Sequence, residues 1–297
     1  MQKRSFSVVD RAGAPRPRRA LSQNFLIDQN IARKIVNALS VEKGDRVLEI
    51  GAGTGALTRH LVLTPGTIYA VEKDQRLWTQ LQQEFPGVNI FGTDFLKVSL
   101  QTMLVMYSAT EKEAIEVISG TLPLEDSTCF KVVGNLPYHL TTKIILHLIK
   151  YRRAISSAVL MVQKEYAERM TANPGGKSYG SLTVLLSYYG KVDKLFGVSR
   201  NCFRPKPKVD STVVRIQFYS LPRVHPKDEE FLFKIVRGSF GKRRKTLANA
   251  LSSSLKVEKE FVERAMEETG ISPSRRGESL SLEEFVKLSN SLRAHSS

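Results

Sequence analysis

Arg46-Val-Leu-Glu-Ile50 runs directly into Gly51-Ala-Gly-Thr-Gly55, and this join decides the fold. The short apolar run predicts a strand buried on both faces. The alternating glycines end it in a turn where backbone comes close to a ligand and leaves amides free at a helix start. Leu57, Leu61 and Val62 give the next helix its apolar side. The glycines are not spaced as in pyrophosphate-binding loops, and read alone they are equally compatible with a plain glycine-rich turn.

The alternation continues downstream. Ile68–Val71, Val88–Phe91, Phe130–Val133 and Ala158–Val162 read as further strands, with helices over Asp74–Phe85 and Thr141–Ile149 between them. Strands separated by helix-length segments imply right-handed crossovers and a parallel sheet covered on both faces. Val192–Val198 and Thr212–Phe218 read as antiparallel closing strands. Upstream, Asp28 is placed to cap a helix carrying Ile31, Ile35, Val36 and Leu39. Residues 100–128 hold more chain than one helix needs and read as a helix plus a surface excursion. After Leu221-Pro222 only amphipathic helices follow, the last opened by a capping box from Ser281 to Glu284. The expected organisation is a basic arm over 1–20, an α/β domain over 21–221 and a small all-helical domain over 222–297.

Composition narrows the function. The 297 residues include 45 Lys plus Arg against 29 Asp plus Glu, a formal net charge of +16, which points to a polyanionic partner. No apolar run approaches the roughly 20 residues of a transmembrane helix, and the basic opening is not followed by the apolar core of a secretory signal. Cys129 and Cys202 lie far apart without metal-ligand spacing, so the expected compartment is the reducing cytoplasm and no metal is expected. The arm is either a solvated tail or a contact for nucleic-acid phosphates.

In an open parallel sheet, ligands sit beyond the carboxyl ends of the strands, and the first four strands each end in residues suited to one. The glycine loop, with Gly51 and Gly53, follows the first. Glu72 closes the second, where a carboxylate can accept both hydroxyls of a ribose. Asp94 closes the third, placed either to accept from an adenine amino group, with Phe95 on the ring, or to cap a helix. Asn135-Leu-Pro-Tyr138 closes the fourth.

This ordered set resembles class I S-adenosylmethionine-dependent methyltransferases, with their Rossmann-like sheet. More narrowly, Gln23-Asn-Phe-Leu26, Glu49 to Leu57, Asp94-Phe95, Asn135-Leu-Pro-Tyr138 and Phe203-Arg-Pro-Lys-Pro-Lys-Val-Asp-Ser211 resemble the small-subunit ribosomal RNA adenine N6,N6-dimethyltransferases. The resemblance implies S-adenosylmethionine as cofactor, contacted by Asn24, Leu26, Gly51, Glu72, Asp94 and Asn135. It also implies two adjacent adenosines near the 3′ end of small-subunit rRNA as substrate; the expected partner is the small ribosomal subunit or its assembly intermediate, and the expected state is a monomer. Ser22, Ala52 and Thr142-Lys143 depart from the family pattern.

For such a reaction the Asn135 side-chain oxygen and the Leu136 carbonyl are expected to accept the two hydrogens of adenine N6, with Pro137 holding the loop. Tyr138 is expected to stack on the base and Phe203 to press on its other face. Arg204, Lys206 and Lys208, and Lys242, Arg243, Arg244 and Lys245, are the expected phosphate contacts. Two other readings stay open: a large-subunit rRNA adenine methyltransferase, and an assembly factor that uses the same fold mainly to bind.

Overall fold

The computed structural model describes residues 23–107, 129–242 and 244–294. The basic arm, the excursion over 108–128 and Arg243 lie outside the described residues.

Nine strands form among the described residues: β1 Phe25–Leu26, β2 Arg46–Ile50, β3 Thr67–Val71, β4 Asn89–Phe91, β5 Phe130–Asn135, β6 Ile155–Gln163, β7 Gly190–Val198, β8 Phe203–Arg204 and β9 Ser211–Phe218. Seven of them make one sheet in the order β4-β3-β2-β5-β6-β9-β7. The pairs β4-β3, β3-β2, β2-β5 and β5-β6 are parallel, and β9 joins β6 antiparallel, as expected. From β2 the chain winds outward through β3 and β4, then crosses back to β5. The order therefore reverses between β2 and β5, and their carboxyl ends flank the crevice where such sheets bind ligands.

Helix α1, Gln29–Asn37, starts where Asp28 Oδ1 accepts from the Asn30 and Ile31 amides at 2.9 and 3.1 Å. Its Ile35 and Val36, with Leu39 beyond it, pack in one core with Val47, Val133, Val159, Met161 and Val213 from the sheet. Burying each such aliphatic side chain contributes about 1.5–3 kcal/mol. Helix α2, Thr58–Leu61, and helix α3, Gln75–Glu84, follow β2 and β3. A fourth helix covers Leu100–Tyr107, and a fifth, Thr141–Lys150, follows β5.

The chain separates into two compact units. One ends at Lys164 and resumes over Lys194–Ser220; the other comprises Glu165–Asp193 and the chain from Leu221 onward. The helical unit is thus larger than its expected range of 222–297. Within it, the Tyr188 and Tyr189 hydroxyls both donate to Glu229, at 3.0 and 2.5 Å, and both rings meet Phe233. The Tyr179 hydroxyl donates to the Leu280 carbonyl at 2.8 Å. These bonds tie 165–193 to the later helices. The expected capping box is present: Glu284 accepts from the Ser281 amide at 2.8 Å, and Ser281 Oγ from the Glu284 amide at 3.3 Å. Among the described residues no helix is long and apolar enough to cross a membrane.

Candidate active site

The ends of β2 to β5 converge on one cavity. Its lining includes Asn24, Gly51, Gly53, Glu72, Asp94, Asn135, Leu136, Pro137 and Tyr138. With Phe95, ten of the residues singled out in the sequence therefore line one cavity, together with the apolar Ile50, Val71, Leu96 and Ile144.

The glycine loop is held from beneath by an acid. Gly53 has φ +59°, in the left-handed region, and its amide donates to Glu72 Oε2 at 2.8 Å. A side chain at Gly53 would also meet the Phe25 ring at 3.5 Å. Glu72 Oε1 accepts from the Asp74 amide at 2.7 Å. Burial pushes the Glu72 carboxyl above its ordinary value, while the Asp74 and Gly53 amides pull it back. A carboxylate has about four lone-pair sites, so these amides leave Glu72 with capacity toward a ligand hydroxyl.

Asp94 serves as a helix cap and also faces the cavity. Its Oδ1 accepts from the Leu96 amide at 3.1 Å, and Oδ2 pairs with Lys73 Nζ at 2.7 Å. Partial burial raises its pKa, but the Lys73 ammonium and the Leu96 amide outweigh that, so the carboxyl lies below its ordinary value and is ionised at neutral pH. Phe95 lines the cavity beside it, with its ring edge-on to His147 at 5.0 Å.

At the end of β5 the hydrogen-bond pattern separates spent from unspent groups. Asn135 Nδ2 donates to the Asn24 carbonyl at 3.0 Å. A carbonyl only accepts, so this bond fixes the amide orientation and turns Oδ1 away. The Leu136 amide donates to the Met161 carbonyl at 3.1 Å, and the Pro137 carbonyl accepts from the Leu140 amide at 2.9 Å and Thr141 Oγ1 at 3.3 Å. No donor among the described residues reaches Asn135 Oδ1 or the Leu136 carbonyl. Two adjacent acceptors are left at the cavity. Tyr138 is half-buried, its hydroxyl 3.0 Å from Ser211 Oγ; burial raises its pKa, so the phenol is neutral.

Two expected site residues fall elsewhere. Leu26 and Phe203 are 4% and 3% exposed, pair across β1 and β8, and belong to the hydrophobic core. Alternation along β1 explains this, because Phe25 lines the cavity and its neighbour must point the other way. Phe203 therefore does not line the cavity. Gln23, Phe25 and Lys73 line the cavity and went unassigned. Phe25 could have been found from its place beside Asn24, whereas Lys73 gave no signal beyond following Glu72.

Arg204, Lys206 and Lys208 are exposed on a loop anchored by buried Pro207 and by Arg200, whose guanidinium donates to the Lys208 carbonyl at 3.0 Å. In the helical unit Lys242, Arg244 and Lys245 are exposed, with Lys242 Nζ donating to Ser253 Oγ at 2.6 Å.

The family of ribosomal RNA adenine dimethylases matches this chain over residues 15–294. The ribosomal RNA small subunit methyltransferase A of Moorella thermoacetica is 42% identical over 293 residues, covering 98% of this chain and 97% of that protein. The crystal structure of a dimethyladenosine transferase from Plasmodium falciparum superposes with a TM-score of 0.70 at 25% identity, covering 89% of this chain and 95% of that one. The 23S rRNA methyltransferase ErmE shares the fold, with a TM-score of 0.66 at 24% identity over 91% of this chain and 100% of that one.

Proposed function

This chain belongs to the ribosomal RNA adenine dimethylase family, and from that premise we propose that it transfers methyl groups from S-adenosylmethionine to N6 of two adjacent adenosines near the 3′ end of small-subunit rRNA. The substrate is the small subunit or its assembly intermediate in the cytoplasm, and the enzyme works as a monomer. The fold is shared with a 23S rRNA methyltransferase and does not choose between subunits. The 42% relative is named for the small subunit, which favours that reading.

The residues present fit such a cofactor. Glu72 offers a buried carboxylate for ribose hydroxyls, Asp94 an ionised one for the adenine amino group, and the apolar walls receive the ring. When bound, S-adenosylmethionine supplies an electrophilic methyl group on a sulfonium whose positive charge is lost on transfer.

The observation that carries the proposal is the pair of unspent acceptors, Asn135 Oδ1 and the Leu136 carbonyl. Adenine N6 is a poor nucleophile because its lone pair is delocalised into the purine. Two acceptors holding its two hydrogens favour a tetrahedral nitrogen with the lone pair directed at the methyl carbon. The base must leave its stack to reach them. Tyr138 then offers its ring, and stacking on an aromatic contributes roughly 1–3 kcal/mol per base. Arg204, Lys206 and Lys208, with Lys242 to Lys245, hold the phosphates of the folded RNA.

The test is incubation of labelled S-adenosylmethionine with unmodified small subunits and, in parallel, with unmodified large subunits, followed by mapping of modified adenosines. Label on two neighbouring adenosines near the 3′ end is expected. Label only on large-subunit rRNA would overturn the subunit assignment.

A further inference from the structure

At the opposite end of the sheet from the candidate active site lies a second cavity, of about 320 Å³. It is lined by the turn after α1 (Ala38, Leu39, Ser40), by Lys131 at the start of β5, by Ser156 and Ser157 on β6, and by Arg215, Gln217 and Phe218 on β9. No acidic side chain lines it. We infer that this cavity is a phosphate-binding site, built from the Arg215 guanidinium and the Ser156 hydroxyl.

Its charge is positive. Lys131 is buried and balanced by Asp45 at 2.9 Å, with a further bond to the Ser40 carbonyl at 3.0 Å. Arg215 has no such balance. Its Nη2 donates to the Ala38 carbonyl at 2.7 Å, and among the described residues no carboxylate pairs with it. Capping the end of α1 accounts for one guanidinium N–H and leaves the others as donors in a rigid fork that suits an oxyanion.

The serines carry the argument further. Ser156 Oγ is buried and, among the described residues, is the only buried side-chain nitrogen or oxygen without a hydrogen-bond partner. Such a group costs about 1–3 kcal/mol unless something bonds to it. The register shifts here: Phe130 pairs with Ile155 but Lys131 with Ser157, which makes Ser156 the extra residue of a β-bulge. In a regular strand, adjacent side chains point to opposite faces. The bulge brings both Ser156 and Ser157 to the cavity, and bulges re-aim side chains in this way beside functional sites. Hydroxyls from β6 and the guanidinium and Gln217 amide from β9 converge on the cavity from two strands. That arrangement suits a tetrahedral anion.

The test is titration of the full-length chain with inorganic phosphate at constant ionic strength, followed by calorimetry, on the native chain and two variants. Saturable binding at one site is expected. Ser156→Ala removes an unbonded hydroxyl, so its melting temperature without phosphate should hold or rise while phosphate affinity falls about three- to tenfold. Arg215→Gln should weaken binding by about tenfold or more. A short oligoribonucleotide distinguishes two sources of the phosphate. Displacement of phosphate from the native chain assigns the site to an RNA backbone, and no displacement assigns it to free phosphate. Absence of a saturable site, or equal affinity in the native chain and both variants, would overturn the inference, since the latter places binding elsewhere on the basic surface.

Discussion

Asn135 and Phe203 stand in two of the motifs that resemble the family pattern, and the structure uses them in opposite ways. Asn135 sits at the cavity with its nitrogen bonded to Asn24 and its oxygen unspent. Phe203 is sealed in the core through the β1-β8 pair. The difference lies in what each side chain can satisfy. A carboxamide at the end of a buried strand costs free energy unless its polar atoms find partners, so its position implies a polar purpose. A phenyl ring is as well satisfied by aliphatic neighbours as by a base, so its position in a motif implies nothing about which it meets.

Substitution at these two positions should separate fold from chemistry. Phe203→Ala leaves a cavity in the core and is expected to cost about 3–5 kcal/mol of stability, read as a lower urea midpoint, with turnover per folded molecule nearly unchanged. A large loss of turnover in the folded fraction would return Phe203 to the site. Asn135→Ala should do the reverse. It removes one of two acceptors for N6 and is expected to lower kcat about 10²–10³-fold, the scale of losing one aligned transition-state hydrogen bond, while the melting temperature moves little. Full turnover in that variant would break the assignment of Asn135.

The same contrast explains what was legible in the sequence. The strands of the parallel sheet are continuous apolar runs, so polar residues at their ends stand out, and Gly53, Glu72, Asp94 and Asn135 all reach the cavity. What was hidden depends on partners distant in the chain. Phe25 lines the cavity in place of the expected Leu26 because β1 pairs with β8, a register that two residues cannot announce. The Lys73 bond to Asp94 is a tertiary fact. The apolar run ending in Tyr188-Tyr189 reads the same whichever core receives it, and only the bonds to Glu229 tie it to the helical unit. The bulge at Ser156 leaves no mark in Ile155-Ser-Ser, where either serine could face out.

Glu49 tests whether a polar group must belong to the site. It is 1% exposed at the end of β2, accepts from Thr58 Oγ1 at 2.6 Å and does not line the cavity. Burial pushes its carboxyl up to about 7, with Thr58 pulling it down and the nearby Glu72 charge adding to the rise. The folded chain therefore holds a proton that the unfolded chain releases near 4.5. The stability tied to that proton is fully present below the unfolded value and is lost as pH rises from about 4.5 to about 7. Glu49→Gln keeps an acceptor for Thr58 and should flatten most of this slope, which is worth up to about 3 kcal/mol. Glu72, also raised, retains the remainder. Urea midpoints measured from pH 5 to 7.5 check this, and an equal slope in both proteins would show that Glu49 is charged in the fold.

Tyr138 lies between the two cases, with its ring at the cavity and its hydroxyl 3.0 Å from Ser211 Oγ. If the ring alone meets the base, Tyr138→Phe keeps the stacking face and loses one hydrogen bond, costing about 1 kcal/mol of stability and changing kcat less than about threefold, under 0.7 kcal/mol. Tyr138→Ala removes the face as well and should weaken rRNA engagement by roughly 1–3 kcal/mol, seen as a higher KM for the subunit with cofactor affinity intact. A loss in Tyr138→Phe as large as in Tyr138→Ala would move the function from the ring to the hydroxyl. Tyr138 would then stand with Asn135, as a residue whose polar atom and not its ring decides what it does.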